Sequence, residues 1–362
     1  MDKKKSICLV GSEDAHKRID LAKCLIRSNY DVTILGTKDY NYPDEINYIG
    51  YSLNRQFNPI SDFKTALEYR RILKSNCFDV VQTFDTKPAF ILPFASLGLK
   101  TRIIRTITGM GTIFMSNDLK FRVYRIFYTV LHFLIRNRVY HTTFQNEDDR
   151  NHFLDHKLVR PSNSSLIYGS GIDLSNVLDK PKNKNEDFTF ICVSRLVFEK
   201  GIINYLEAAK ICKEKKHRFK FLLVGPLEED SKRLNLQIIK KYNDVIEWLG
   251  PRTDIQDLMH SADVFVLPTF REGFSRVLLE ASALGLPSIT TNVPGTNEII
   301  RHLKEGLHVE VDNSQDLANA MIQLAVDREL TDKLGQNAKI HVKQFSLSVI
   351  SEKYIDLYKK AI

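Results

Sequence analysis

At 362 residues, 43% hydrophobic and 27% charged, the chain is longer than one ordinary domain and too apolar to be disordered. It carries 52 Lys and Arg against 44 Asp and Glu, a net charge of +8, and nearly all of the excess lies before Asp173. Five scattered cysteines, an odd number placed mostly in apolar runs, argue against a disulfide framework and against a zinc cluster. The start, MDKKKSICLVGSE, has only a short apolar run, and no segment approaches the roughly 18 apolar residues of a spanning helix. Neither a signal peptide nor a transmembrane span is expected, and the cytoplasm is the expected compartment.

Taken in chain order, the first half alternates short apolar runs with amphipathic stretches. SICLV (6–10), DVTILG (31–36), INYIGY (46–51), the strand over 78–84, RIIRTI (102–107), VYHTTF (139–144) and SLIYG (165–169) read as strands, with helices near 15–28 and 61–75 among them. DKPKNKNED (179–187) is polar and Pro-containing, as a linker is. A second series follows: strands FTFICV (188–193), FKFLLVG (219–225), DVIEWLG (244–250), DVFVLP (263–268) and PSITT (287–291). Helices are expected near 201–215, 230–242, 254–261, 276–285, 315–327 and 346–361. Such alternation implies an α/β protein with two doubly wound parallel sheets. Ligands of these sheets bind beyond the carboxyl ends of the strands, and two facing sheets would share one cleft.

Two loops of the second half carry the residues best suited to chemistry. After DVFVLP comes PTFREGFSRVLLEASALG, with Glu272 and Glu280 eight positions apart. An acid at a strand's end can reach a sugar hydroxyl, and Gly273 lets the backbone N–H groups of the next helix approach a diphosphate. Glu280, about two turns on, can still face the ligand; two surface glutamates on one helix are the plainer alternative. After FTFICV, the run CVSRLVFEKG puts Arg195 and Lys200 on a strand-to-helix loop, a cation pair suited to a diphosphate or simply two solvated charges.

With these residues in view the sequence resembles the retaining family 4 glycosyltransferases of the two-domain GT-B fold. SRLVFEKG, LLVGPLEED and EWLGPRTDIQDLMHSADVFVLPTFREGFSRVLLEASALGLPSITTNVPGTNEII stand in the family's order. The resemblance implies that Glu272 contacts donor-sugar hydroxyls, Glu280 the nucleoside ribose, and Arg195 with Lys200 the diphosphate. Gly225 joins the nucleotide-binding set, and Gly273, Phe274 and Ser275 would present backbone N–H groups. In the first half, IYGSGIDL (167–174) and FQNEDD (144–149) look like the family's closing segments. ITGMGTIF (107–114) is similar to the acceptor-side glycine loop of members that act on polyprenyl-diphosphate carriers, which makes Thr108, Gly109 and Gly111 acceptor candidates. Thr108 stands where many members have histidine, and the first loop, GSEDAHKR, lacks paired glycines. No Asp-x-Asp occurs anywhere in the chain. The resemblance then implies a metal-independent reaction without cofactor, in which a nucleotide sugar, UDP-linked by analogy, is the co-substrate and its departing phosphate can take the acceptor's proton.

Asp85 and Lys87, in TFDTKPAF at a strand's end, are further acceptor candidates, against the alternative of a solvated loop. LKFRVYRIFYTVLHFLIRNRVYH (119–141) is aromatic-rich, has no acid, and carries Lys120, Arg122, Arg125, Arg136 and Arg138 at its ends. Such a helix can lie on an anionic membrane surface with its cations on lipid phosphates, or pack as an ordinary domain helix. His152 and His156 share a helical face, but without further ligands they read as a surface pair rather than a zinc site. The domains expected are 1–175 for the acceptor, 186–345 for the nucleotide-sugar donor, and a C-terminal helix over 346–362 that is a candidate to cross back onto the first. The expected function is transfer of a sugar onto a lipid-linked acceptor in capsule, O-antigen or related surface-glycan assembly, at the inner face of the cell membrane, with no nucleic-acid partner. Two rivals remain: an epimerase or phosphorylase of the same fold, and a non-enzymatic binder of anions or nucleic acid.

Overall fold

The computed structural model describes residues 4–54, 56, 58–111, 114, 118–178, 187–228 and 233–362. They form two compact units, Met1–Gly171 with Leu347–Ile362, and Ile172–Ser346. All but the last residue of the DKPKNKNED segment, and parts of the ITGMGTIF and LLVGPLEED runs, lie outside the described residues.

The first unit runs β1 (Lys5–Val10), a 3-10 turn (Ala15–Arg18), α1 (Ile19–Arg27), β2 (Tyr30–Gly36), β3 (Asn47–Gly50), α2 (Pro59–Asn76), β4 (Val80–Thr83) and α3 (Pro88–Ala95). It continues with β5 (Arg102–Ile107), α4 (Leu119–Ile135), β6 (Val139–Phe144), α5 (Glu147–Asp155) and β7 (Ser164–Leu166). The strands are parallel in the order β3-β2-β1-β4-β5-β6-β7. Period-two alternation sorts the central strand: Ile7 and Leu9 pack with Leu21, Leu25, Tyr354 and Tyr358, while Cys8 and Val10 pack with Tyr69, Leu73 and Leu92. Helices therefore cover both faces. Local chemistry sets their ends. Asn58 caps α2 by accepting from the Ser61 N–H at 3.1 Å, Pro59 occupies its first position, and Cys77 closes it in the left-handed conformation.

The second unit runs β8 (Phe188–Val193), α6 (Ile202–Glu214), β9 (Phe219–Val224), α7 (Leu236–Lys240), β10 (Glu247–Trp248), α8 (Ile255–His260), β11 (Val264–Leu267) and α9 (Arg276–Ala283). Next come β12 (Ser288–Thr291), β13 (Gly306–Val309), α10 (Ser314–Val326) and α11 (Arg328–His341). The strand order, β10-β9-β8-β11-β12-β13, has the same centre-outward winding as the first sheet, and every pair is parallel. Phe188, Phe190 and Cys192 of β8 pack into one core with Tyr205, Ala209, Leu317 and Met321. The final helix, α12 (Leu347–Ala361), belongs to the first unit, where Tyr354 donates to the Gly169 carbonyl at 3.2 Å.

Three expectations need correction. Only Glu247–Trp248 of DVIEWLG pairs as a strand, because its flanking residues turn into loops. Gly306–Val309 is an edge strand that too short an apolar run concealed, and Arg328–His341 is a helix missing from the sequence reading. An additional short helix, Pro88–Ala95, tolerates Pro93 in its interior.

Candidate functional site

In sheets of this winding the switch point lies between the first strand and the fourth, here between β8 and β11 of the second unit. The loop after β8 passes through a turn at Phe198–Lys200 and enters α6 at Gly201, whose φ is +69°. A Cβ at Gly201 would stand 1.9 Å from the Pro268 carbonyl oxygen, so only glycine permits this approach to the end of β11. Backbone bonds join the two loops: the Phe270 N–H donates to the Glu199 carbonyl at 2.8 Å, and the Thr269 hydroxyl to the same oxygen at 3.1 Å. The consequence is a direct ion pair, Lys200 Nζ to Glu272 Oε1 at 2.5 Å, with side chains only 20% and 12% exposed.

A third loop supports the pair from behind. The Glu272 N–H donates to the Pro294 carbonyl at 3.1 Å and the Ser275 N–H to the Gly295 carbonyl at 3.0 Å. Gly295 has φ +82°, and a Cβ there would lie 2.7 Å from the Glu272 backbone. Thr296 fixes this loop by donating to the Thr291 carbonyl at 2.6 Å. Sequence reasoning missed Gly295, although Val-Pro-Gly directly after a strand is a turn signal. The Ser275 N–H, counted among groups for a diphosphate, is thus already committed to Gly295. Phe274 lies edge-on to Phe345 at 5.3 Å.

Arg195 does not pair with the same acid as Lys200. Its guanidinium bonds Glu228 on the loop after β9, in an exposed setting. That loop is drawn in by Gly225, whose φ of +136° and close approach to the Ser194 carbonyl leave no room for a side chain, and by the Leu196 N–H donating to the Pro226 carbonyl at 2.8 Å. Glu228 is a second residue the sequence reading did not single out. On α9, Glu280 accepts from Arg276 Nε at 3.1 Å, four residues back on its own helix. The two cations expected to act together are therefore split between two acids, and Glu280 is held apart from both pairs by its own partner.

In the first unit the switch point lies between β1 and β4, and Asp85 occupies it. Its carboxylate accepts from the Ser12 N–H at 2.6 Å and the Ser12 hydroxyl at 2.7 Å, bracing GSEDAHKR. Lys87 turns to α2, donating to Asp62 Oδ1 at 2.6 Å and to the Gln56 carbonyl at 2.7 Å, a pair about 15% exposed. Both acceptor candidates hold structure rather than project freely. Beyond β5, Thr108 is half-buried, Gly109 has φ +138°, and Gly111 has φ +70° with open space where a Cβ would go.

The basic segment divides in the same way. Lys120 and Arg122 are exposed on α4 and Arg125 is half-buried. Arg136 lies 3.6 Å over the Phe133 ring and donates to the Lys157 carbonyl at 3.2 Å. Arg138 is a correction: it donates to the carbonyls of Ser96, Leu99 and Thr101, so it ties loops together instead of facing a surface. Arg105 of β5 is wholly buried against Thr142, His132 and the Leu158 carbonyl, and burial draws it down to about 10. The same burial, reinforced by Arg105, holds His132 well below the ordinary imidazole value. The apolar side of α4 is turned outward: Leu119, Val123, Ile126, Val130 and Leu134 are all exposed at helical spacing. Among the described residues no helix is long and apolar enough to cross a membrane, and no three His, Cys, Asp or Glu side chains are grouped as metal ligands. His156 Nδ1 bonds the His152 carbonyl within its own helix.

Two all-parallel sheets of the 3-2-1-4-5-6 winding, with charged side chains on the loops beyond their carboxyl ends, have the architecture of the GT-B transferases. Residues 176–341 match the family described as Glycosyl transferases group 1, and residues 6–143 the family described as Glycosyl transferase 4-like. The chain belongs to the family 4 glycosyltransferases of the GT-B fold. It is 24% identical, over 97% of both chains, to the N,N'-diacetylbacillosaminyl-diphospho-undecaprenol alpha-1,3-N-acetylgalactosaminyltransferase of Campylobacter jejuni. It is 26% identical to the Escherichia coli UDP-Gal:alpha-D-GlcNAc-diphosphoundecaprenol alpha-1,3-galactosyltransferase, over 85% of this chain and 82% of that one. In fold it is similar to Anabaena HepE in complex with UDP and glucose, with a TM-score of 0.78 and 17% identity over 98% and 100% of the two chains.

Proposed function

We propose that this glycosyltransferase moves a sugar, with retention at the anomeric carbon and without a metal ion, from a UDP-sugar to a sugar carried on polyprenyl diphosphate. The observation that carries the reading is the Lys200–Glu272 pair at the switch point of the second unit. In this site each acid neutralises a cation, Glu272 with Lys200 and Glu228 with Arg195. An incoming diphosphate supplies a denser negative charge. Lys200 and Arg195 then turn to its oxygens, and Glu272 is released to accept from donor-sugar hydroxyls. As the glycosidic bond to phosphate breaks, the two cations stabilise the charge on the leaving oxygen, which takes the proton of the acceptor hydroxyl attacking from the same face. Glu280 takes the ribose hydroxyls, with Arg276 keeping its carboxylate oriented.

Two relatives whose names specify undecaprenol-diphosphate-linked acceptors support the lipid-linked acceptor and a place in surface-polysaccharide assembly. The exposed apolar side of α4, with Lys120 and Arg122 beside it, supports contact with the anionic inner face of the cell membrane.

The test is a panel of UDP-, GDP- and ADP-sugars incubated with chelator and a polyprenyl-diphosphate sugar. We expect acceptor-dependent UDP release and a product with the donor's anomeric configuration. Inversion, or release that needs a divalent ion, overturns the mechanism; nucleotide release without any acceptor favours an epimerase or hydrolase. For the membrane, sedimentation with vesicles containing phosphatidylglycerol is expected to capture the wild type and to lose Ile126→Ser/Leu134→Ser. Equal capture of both removes α4 from that role.

A further inference from the structure

Between α2, α3 and α4 the first unit leaves an apolar cavity of about 190 Å³, lined by Pro59, Ala66, Phe90, Phe94, Phe127 and Leu131 among others. Among the described residues of its wall the one charged side chain, Asp62, is neutralised by Lys87. The groove begins at the first turns of α2 and α3. Because α3 follows directly on Lys87, those turns adjoin the carboxyl edge of the sheet where Asp85 and Lys87 stand. Outside the groove the apolar surface continues on two helices. Ile60, Phe63 and Leu67 of α2 are exposed, as are Val123, Ile126 and Val130 of α4. The exposed charge of this surface is mostly positive: Asp62 is paired with Lys87 and Glu68 accepts from the Ser52 N–H at 3.0 Å, while Lys64, Arg71, Lys120 and Arg122 face solvent and, after Asp118 at its start, α4 contains no acid. An apolar floor with a cationic rim complements an amphiphile whose head is anionic. The cavity is too small for a packed helix of a partner and accommodates part of one hydrocarbon chain.

We propose that this groove holds the first isoprenoid units of the acceptor's carrier, with the carrier's diphosphate at the sheet edge by residues 108–111 and the rest of the chain over α2 and α4. The inference rests on the lipid-linked acceptor proposed above and assigns where its hydrocarbon goes. Ile60, Phe63 and Leu67, which the sequence reading left in an ordinary helix, become part of lipid recognition.

The experiment measures binding without sugar transfer, by calorimetry with farnesyl diphosphate and with inorganic diphosphate. The wild type is expected to bind farnesyl diphosphate at least ~10-fold more tightly, since each methylene removed from water adds to affinity. Ala66→Trp, which fills the groove, is expected to bring that ratio close to one. Phe127→Ser, at a residue 45% exposed, lowers it about threefold and keeps the test alive if the tryptophan variant does not fold. Equal affinity of the wild type for the two probes overturns the proposal, as does an undiminished preference in both variants. Binding to anionic vesicles without a preference for monomeric farnesyl diphosphate overturns it too, leaving a membrane surface only. A wild-type dimer that Phe127→Ser dissociates, with no farnesyl preference, overturns it in favour of a second copy of the chain. A farnesyl preference in a protein that transfers no sugar to any prenyl-linked acceptor keeps the groove and removes the proposed function.

Discussion

The two units repeat one topology and bridge the same place in it with different chemistry. At the first unit's switch point Asp85 accepts from a backbone N–H and a hydroxyl of Ser12, both neutral donors of its own scaffold. At the second unit's switch point Glu272 accepts from the ammonium of Lys200, a mobile charge at the end of a flexible stem. The first arrangement closes a loop. The second pairs an acid with a cation, which in the proposed mechanism exchange each other for a sugar hydroxyl and a phosphate oxygen. Winding alone thus fixes where ligands bind and leaves to individual side chains what is done there.

The comparison breaks most sharply at the Lys200–Glu272 pair. Lys200→Ala and Glu272→Ala are each expected to lower kcat/KM by about 10²–10³-fold with the protein still folded, and the double variant to be little worse than either. Full activity of either single variant under saturating donor removes the site. Next in size is Gly201→Ala, where the new Cβ meets the Pro268 carbonyl: a loss of about 2–4 kcal/mol is expected in denaturant unfolding. An unchanged midpoint would mean that the β8 and β11 loops are not held by this approach.

Asp85→Ala sharpens the contrast from the other side. It strands two Ser12 donors and is expected to cost about 1–3 kcal/mol, while retaining far more activity than Lys200→Ala at a temperature where both are folded. A loss as deep as that of Lys200→Ala would make Asp85 a substrate contact. The smallest effect is with pH and belongs to the first unit. Burial, aided by Lys360, takes His141 down to about 4, and burial with Arg105 holds His132 lower than its ordinary value. Both stay neutral in the folded chain, whereas the unfolded chain takes up protons once pH falls below about 6.5. Stability is therefore expected to decline as pH falls from about 6.5 to about 4, and His141→Asn to make the decline in Tm shallower. An equally steep decline in that variant assigns the effect to other groups.

Much of this was legible in the sequence, and unevenly. Short, nearly continuous apolar runs such as SICLV and FTFICV announce strands because both faces of a parallel sheet are buried, so their apolar residues cannot be spared. The residue types at 195, 200 and 272 announce a polar loop set at strand ends. Gly306–Val309 escaped notice because four residues at a sheet edge carry too little pattern, and Pro88–Ala95 because a proline inside a short helix imitates a break. Gly295 and Glu228 were invisible as site residues: their importance comes from loops that approach one another across the sheet's end.

By itself the sequence determined most of the order of strands and helices, the doubly wound class and the loops that would carry charge, since each of these is written in residues only a few positions apart. Tertiary structure alone decided the partners. Lys200 meets Glu272 and Arg195 meets Glu228; Arg105 and Arg138 turn inward to hold the sheet and its loops; and α2 and α4, which line one cavity, both expose apolar residues. Whether an arginine is a ligand or a strut depends on which carbonyls the fold brings within hydrogen-bond distance of it, and that is set by segments far away in the chain.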